Sequence, residues 1–423
     1  MSAPTEPFDG KRPLVERRVA ITGLGLATPI GHDLESVQDA LLQGRHGIRR
    51  QEEWSLHPEM LTQLAAPVCD LDLNARWHRK AARSMGRVAR LAAFATEEAI
   101  KSAGLPDDVV KHPRTGLAYG STHGSTEAWE RFALTLEKPN ALLGLGSAAY
   151  LKFSTHTCAA NLAVLLGIRG RIITTCAACV SASQAIGYGY EAIKFGLQDV
   201  MICGGAEELH YISTGVFDVL QATSTKHKAD AESTPRPFDR DRDGLVVGEG
   251  SGTLVLEDWD RATRRGARIL GELRGFGTTC DGTHITAPSP EGMEAAMRLA
   301  LEDAGANPSD IDYINAHATA TTVGDLGESV ATHRVFGTSA PVSSTKAFTG
   351  HTLGACGAIE AAFCLSMLRE GYLAPTRNLS TVDPECAPLD YICGDVRDER
   401  PQTVMSNNFA FGGINTSLVM ASV

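Results

Sequence analysis

Hydrophobic and polar positions break this chain into short apolar runs of strand length and longer stretches of helical period. Val19 to Gly31 reads as a strand followed by a glycine turn. Arg171 to Gly196 reads as a strand, a turn and a helix. Ile172 to Thr175 predicts a short buried strand, the small residues that follow predict a tight turn, and Ile186, Tyr190 and Ile193 recur at helical spacing before Gly196 stops the helix. Asp199 to Gly205 predicts the next strand, and Asp312 to Ala316 another.

The pattern repeats itself. A helix end, a proline turn and a strand run from Ala99 through Pro106 to Thr122, and the same layout returns from Ala300 through Pro308 to Thr319. The helix after Cys179 has its own echo in Gly350 to Gly371. Two related α/β halves, each a sheet flanked by helices, fit this better than one wound sheet. The expected divisions are a flexible tail over 1–17, an N-terminal half over 18–266 and a C-terminal half over 267–423, beginning near Ala267. Ala229 to Gly250, rich in charge and glycine, predicts a surface excursion before Gly252 to Glu257 closes the first half.

Composition narrows the class. A chain of 423 residues, 43% hydrophobic, can bury a large core. Ten cysteines with no recognisable secretory leader point to a reducing cytosol, not a disulfide framework. No apolar run approaches membrane-spanning length. A net charge of −11 disfavours nucleic acid, and an acidic partner needs a local basic patch to dock on.

Candidate chemistry centres on Cys179, at the expected strand-to-helix junction. Backbone N–H groups and the positive end of the helix dipole favour an anion there, so the thiol is expected to lose its proton readily and act as a nucleophile. A small buried packing cysteine fits the same residues. The Gly23 turn is not a dinucleotide loop, because Thr28 stands where G-x-G-x-x-G needs its third glycine. His317 stands at the end of a predicted strand, where α/β folds place functional residues. Lys346 lies five residues before His351. The duplication sets the two echoing helix starts on one side of the molecule, so that Cys179 and His351 are able to face one cleft. A thiol, two imidazoles and a lysine make acyl-transfer machinery. Cys176 forms C-x-x-C with Cys179, but no second such pair completes a zinc site, and Cys176 is read as packing.

Four segments carry a resemblance: the cysteine stretch ending in Gly187, Arg236 to Gly250, Asn315 to Asp325, and Ser344 to Ala355. From about Arg18 to Met420 the chain resembles a decarboxylating β-ketoacyl-acyl-carrier-protein synthase of the thiolase-fold type. Gly204 to His210 is more similar to the type I elongating synthases than to type II. The resemblance implies a thiolase-like fold of two duplicated halves in α-β-α-β-α layers. It also implies Cys179 as the acylated nucleophile, and His317 and His351 as holders of the malonyl thioester oxygen. Lys346 would order the histidines and the local charge, with Glu328 tied to that network. Thr319 and Thr321 match threonines that bind the pantetheine arm, and Phe409 belongs to the substrate-binding set. Phe411 matches a phenylalanine whose N–H, with that of Cys179, forms the oxyanion hole, and whose ring gates the acyl channel.

This chain departs from the family pattern at Ala318, Ala320, Ala410 and Ile414. Alanine at 410 resists the positive φ that glycine permits, which bears on the gate. Arg79, Lys80, Arg83 and Arg87 match the family's carrier-docking surface in position. The implied reaction is a decarboxylating Claisen condensation with malonyl-acyl carrier protein, without metal or other cofactor. A homodimer is implied, or a heterodimer with a ketosynthase-like subunit if the enzyme serves a polyene or polyketide pathway. A non-catalytic chain-length subunit typically lacks the cysteine, and a thiolase carries a second catalytic cysteine near the C-terminus, where this chain has the phenylalanine-rich gate.

Overall fold

A computed structural model describes residues 16–227 and 230–423. Most of the expected tail, residues 1–15, lies outside the described residues; Arg17 is tied down, its N–H bonded to the Lys194 carbonyl at 2.9 Å and its guanidinium paired with Asp199 at 3.0 Å.

Eleven strands form the main sheet. They are β1 Val19–Ala27, β2 Thr115–Gly120, β3 Ile172–Thr175, β4 Val200–Glu207, β5 Gly250–Asp258, β6 Gly271–Cys280, β7 Tyr313–Asn315, β8 Pro341–Ser343, β9 Asp390–Tyr391, β10 Thr403–Ala410 and β11 Ile414–Ala421. Their order is β9-β8-β7-β10-β11-β6-β1-β5-β4-β2-β3. The duplication is visible in that order. Outward from β1 the pairings run antiparallel, antiparallel, parallel, parallel (β5, β4, β2, β3). Outward from β6 they run the same way through β11, β10, β7 and β8. β1 and β6 join the halves as an antiparallel pair.

Five helices matter for the site: α1 Arg87–Ala103, α2 Ser181–Lys194, α3 Pro290–Ala304, α4 Thr322–Phe336 and α5 Cys356–Glu370. α1 packs on β1 and α3 on β6, and the contact is the same device twice. A Cβ on Gly23 or Gly25 would lie 2.3 or 1.9 Å from the carbonyls of Ala99 and Ala95. A Cβ on Gly275 or Gly277 would lie 2.3 or 2.1 Å from those of Ala300 and Ala296. These glycines let helix backbone rest on strand backbone; they bind no phosphate. α2 and α5 each touch strands of both halves and pack on each other, which makes them the central layer. α5 is apolar all round, as a helix with no solvent face must be, with Glu360 the conspicuous exception. The result is the two-half α/β thiolase-type architecture.

Two expectations need correction. β3 has the predicted bounds but is an edge strand with mostly exposed side chains, because nothing among the described residues pairs with its outer side. Over its described residues, 230–250, the expected surface excursion is not one; Ala229 lies outside the described residues. Phe238, Asp239, Arg242, Val246, Val247 and Glu249 are buried, since its charges are paired internally. Arg242 reaches Asp383 and the carbonyls of Thr321 and Thr322, and Glu249 takes the Arg87 guanidinium. No helix among the described residues is long and apolar enough to cross a membrane.

Candidate active site

Cys179 lies one residue before Val180, the N-cap of α2, and its thiol meets the ring of His351 at 2.9 Å from Nε2. His351 sits just before α5, its backbone clamped by the Val247–Gly248 strand: its N–H donates to the Val246 carbonyl at 2.7 Å, and its carbonyl accepts from Gly248 at 2.9 Å. His317 follows β7 and stands edge-on to His351, ring centres 5.1 Å apart at 86°. The pairing of echoing helix starts therefore does bring thiol and imidazole together.

Glu328 on α4 fixes the His317 loop. Its carboxylate accepts the N–H groups of His317 and Ala318 at 2.8 and 2.7 Å. The loop is fixed again from the central signature, where the Ala320 carbonyl accepts from Gly244 at 3.0 Å and Asp325 accepts from Phe238 at 2.8 Å. Ala320 itself adopts φ +67°, a left-handed conformation that alanine takes only where its surroundings impose it.

Lys346 does not touch either histidine. Its ammonium is buried against Glu360, a short ion pair on α5. Burial opposes its charge, and the Glu360 carboxylate more than offsets that, so the ammonium stays charged. Glu360 also accepts from the Asn408 amide at 2.7 Å. That bond orients the amide and aims its N–H at Nδ1 of His317, 3.5 Å away. Nδ1 is then an acceptor, and the His317 proton resides on Nε2. Glu360 and Asn408 were not singled out from sequence. The available signal was a lone carboxylate inside the apolar run Cys356 to Leu368.

Burial, and then the Lys346 charge, hold both imidazoles well below their ordinary pKa, so both are neutral at physiological pH. Burial also pushes the Cys179 thiol up to about 12, against the opposing Lys346 charge. Desolvation thus works against the easily ionised thiol expected from the helix end, and the thiol sits within hydrogen-bond reach of a neutral imidazole.

These groups open onto a cavity of about 500 Å³ that also meets Thr319, Thr321, Phe409 and Phe411. Thr319 and Thr321 share a hydrogen bond of 3.0 Å. Phe409 is buried edge-on to His317, whereas Phe411 is 39% exposed and faces Phe217. Ala410 ends β10 with an ordinary negative φ. The positive φ angles of this turn fall on Gly412 and Gly413, so the alanine carries no strain here.

Cys176, expected as packing, is exposed, its thiol directed at the Thr122 carbonyl 3.1 Å away. Of the basic run, Arg79, Lys80 and Arg83 are exposed. Arg87 is not a free cation: its guanidinium forks onto buried Glu249 at 2.7 and 2.6 Å.

Residues 16–262 match the family described as "Beta-ketoacyl synthase, N-terminal domain", and residues 270–380 match "Beta-ketoacyl synthase, C-terminal domain". The chain is 38% identical over 406 residues to 3-oxoacyl-[acyl-carrier-protein] synthase 1 of Haemophilus influenzae, covering 95% of this chain and 98% of that protein. A crystal structure of a β-ketoacyl synthase from Burkholderia phymatum superimposes with a TM-score of 0.93 at 48% identity, covering 96% of this chain and all of that one. The ishigamide ketosynthase/chain length factor gives a TM-score of 0.89 at 31% identity, over 96% of this chain and all of that one. With a thiol and two neutral imidazoles meeting at one cavity of a duplicated α/β fold, and a lysine buried near them, the chain belongs to the β-ketoacyl synthase family, enzymes that catalyse Claisen-type condensation.

Proposed function

We propose that the protein elongates an acyl chain held on Cys179 by decarboxylating condensation with malonyl-acyl carrier protein. The observation that carries this reading is the 2.9 Å contact of Cys179 with His351, beside a second histidine whose proton is directed to Nε2.

In the first step the Cys179 sulfur attacks the acyl thioester carbonyl. The thiol proton passes to the departing carrier thiolate while His351 keeps its own proton on Nε2, so no net charge is left in the buried site. The N–H groups of Cys179 and Phe411 are the oxyanion donors in this account. Malonyl thioester then enters past Thr319 and Thr321, which receive the pantetheine arm, with Phe409 and the Phe411 ring bounding the acyl path. Carbon dioxide leaves, and its bonding electron pair moves onto the thioester oxygen as an enolate held by the imidazole N–H groups of His317 and His351. The enolate carbon attacks the acyl carbonyl, and Cys179 leaves and regains a proton. Neutral imidazoles suit this role, because each supplies an N–H without bringing a charge that would need a counter-ion. Lys346, Glu360, Glu328 and Asn408 hold the rings and the local potential.

Arg79, Lys80 and Arg83 form the docking patch for an acidic carrier in this reading. The relative in Haemophilus influenzae is named for an acyl-carrier-protein substrate, which supports the same choice. A second chain pairs along β3, whose free edge exposes Ile172 beside the exposed Val164. The likeness to a ketosynthase/chain length factor structure supports a ketosynthase-like partner as the alternative to a second copy.

The test separates the two half-reactions. His317→Ala should accept an acyl group on Cys179 but release carbon dioxide from malonyl-carrier at least about 10²-fold more slowly, the usual loss for one oxyanion donor. Decarboxylation at the wild-type rate in that variant would sink the assignment.

A further inference from the structure

The same pocket presents a set of metal ligands. One ligand atom each from Cys179, His317 and His351 lies within 4.8 Å of the others, and all three residues are buried. They come from three separate elements: the start of α2, the loop after β7 and the turn before α5. A sulfur and two imidazole nitrogens with an open side toward a cavity are the donor set of three-ligand zinc sites, in which the fourth position is left to water or a ligand. Zinc–ligand bonds of ~2.0–2.3 Å place tetrahedral donors about 3.5 Å apart. Seating an ion requires the 2.9 Å Cys179–His351 contact to open by about half an ångström and the separations to His317, each within 4.8 Å, to close by at most about 1.3 Å, with the cavity giving room for the movement.

A second set backs the first. His317, Cys356 and Glu360 also place ligand atoms within 4.8 Å of one another. Cys356 points its thiol at the Cys179 carbonyl, 3.2 Å away, and Asn408 lies 3.6 Å from its sulfur. The two sets share His317.

We infer that the resting site captures one thiophilic divalent cation, zinc as the probe, through Cys179, His317 and His351, and that the captured ion blocks acylation. Binding releases the thiol proton to solvent, each imidazole turns an unprotonated nitrogen to the ion with its proton moved to the other ring nitrogen, and the sulfur lone pair that would attack the thioester is used to hold the metal. An acyl group on Cys179 removes that lone pair in turn, so acylation and zinc binding exclude one another. The inference is read by metal content and stands whether or not the condensation reading holds.

The full-length protein is equilibrated with zinc chloride, desalted and weighed by native mass spectrometry, with metal counted by elemental analysis. One zinc per chain is expected in wild type and in a Cys176→Ala/Cys280→Ala/Cys393→Ala variant, which lacks the exposed thiols. Less than a tenth of that content is expected in Cys179→Ala, and in wild type alkylated at Cys179 after folding. The alkylated sample keeps the test decisive if a variant folds poorly. The inference is overturned if wild type retains no zinc, if Cys179→Ala retains it in full, or if the exposed-thiol variant alone loses it.

Discussion

Lys346 and Glu360 form the one site pair whose energetics follow directly from burial. Both side chains are within a few per cent of complete burial, at 1% and 3% exposed. Removing one partner strands the other charge, a loss of roughly 3–5 kcal/mol, whereas removing both charges is far cheaper. Lys346→Met should therefore lower the urea-unfolding free energy by about that amount, and Lys346→Met/Glu360→Gln should recover most of it. Equal losses in the single and double variants would show that the two residues are not coupled. At this scale the sequence was informative about the chemistry and silent about its support. Cys179, His317, His351 and Lys346 stand in motifs with distinctive neighbours. Glu360 and Asn408 act through distances between segments far apart in the chain, which no local pattern encodes. The desolvation that opposes ionisation of Cys179 was not legible for the same reason: the helix end is visible in the sequence, whereas burial is a property of the folded site.

The central layer is set by the close approach of α2 and α5. A Cβ on Gly357 would sit 2.7 Å from Asn408 Oδ1 and 2.8 Å from Ser183 Cβ on the facing helix. Gly357→Ala should cost about 1–3 kcal/mol through overpacking and, by displacing Asn408, lower kcat more than it raises KM. Unchanged stability together with unchanged kcat would contradict the packing account. Element types and order were largely readable, because helical and strand periods differ and the echo between halves reinforced each assignment. What failed was exposure. Ile172 to Thr175 is apolar enough for a core strand yet lies at an open edge. Ala229 to Gly250 is charged enough for a surface loop, yet Asp239, Arg242 and Glu249 are buried, because Ser380 and Thr381 N–H groups, Asp383 and Arg87 respectively meet them there. Composition reports polarity, whereas burial depends on whether partners are found.

The whole molecule carries several carboxyls whose protonated form burial favours. Desolvation raises Glu207 to about 7, Glu328 to about 8 and Asp325 to about 6. The unfolded chain gives up these protons near the ordinary carboxylate range, ~4, while the folded chain holds them longer. Stability from these groups is full below that range and is lost as pH rises through 6 to 8. Tm should fall between pH 5 and pH 8, and Glu207→Gln should make that fall shallower. An identical fall in the variant would remove Glu207 from the explanation. The two-half architecture was legible from the repeat, and the structure adds how the halves meet: β1 against β6, with α2 and α5 between.

The most direct test of the central claim, that Cys179 is the acylated nucleophile, is intact mass spectrometry of the protein mixed with a panel of acyl-carrier thioesters. Wild type and Cys176→Ala should each gain one acyl mass, and Cys179→Ala should gain none. An adduct that persists in Cys179→Ala, or that is lost only in Cys176→Ala, would contradict the account.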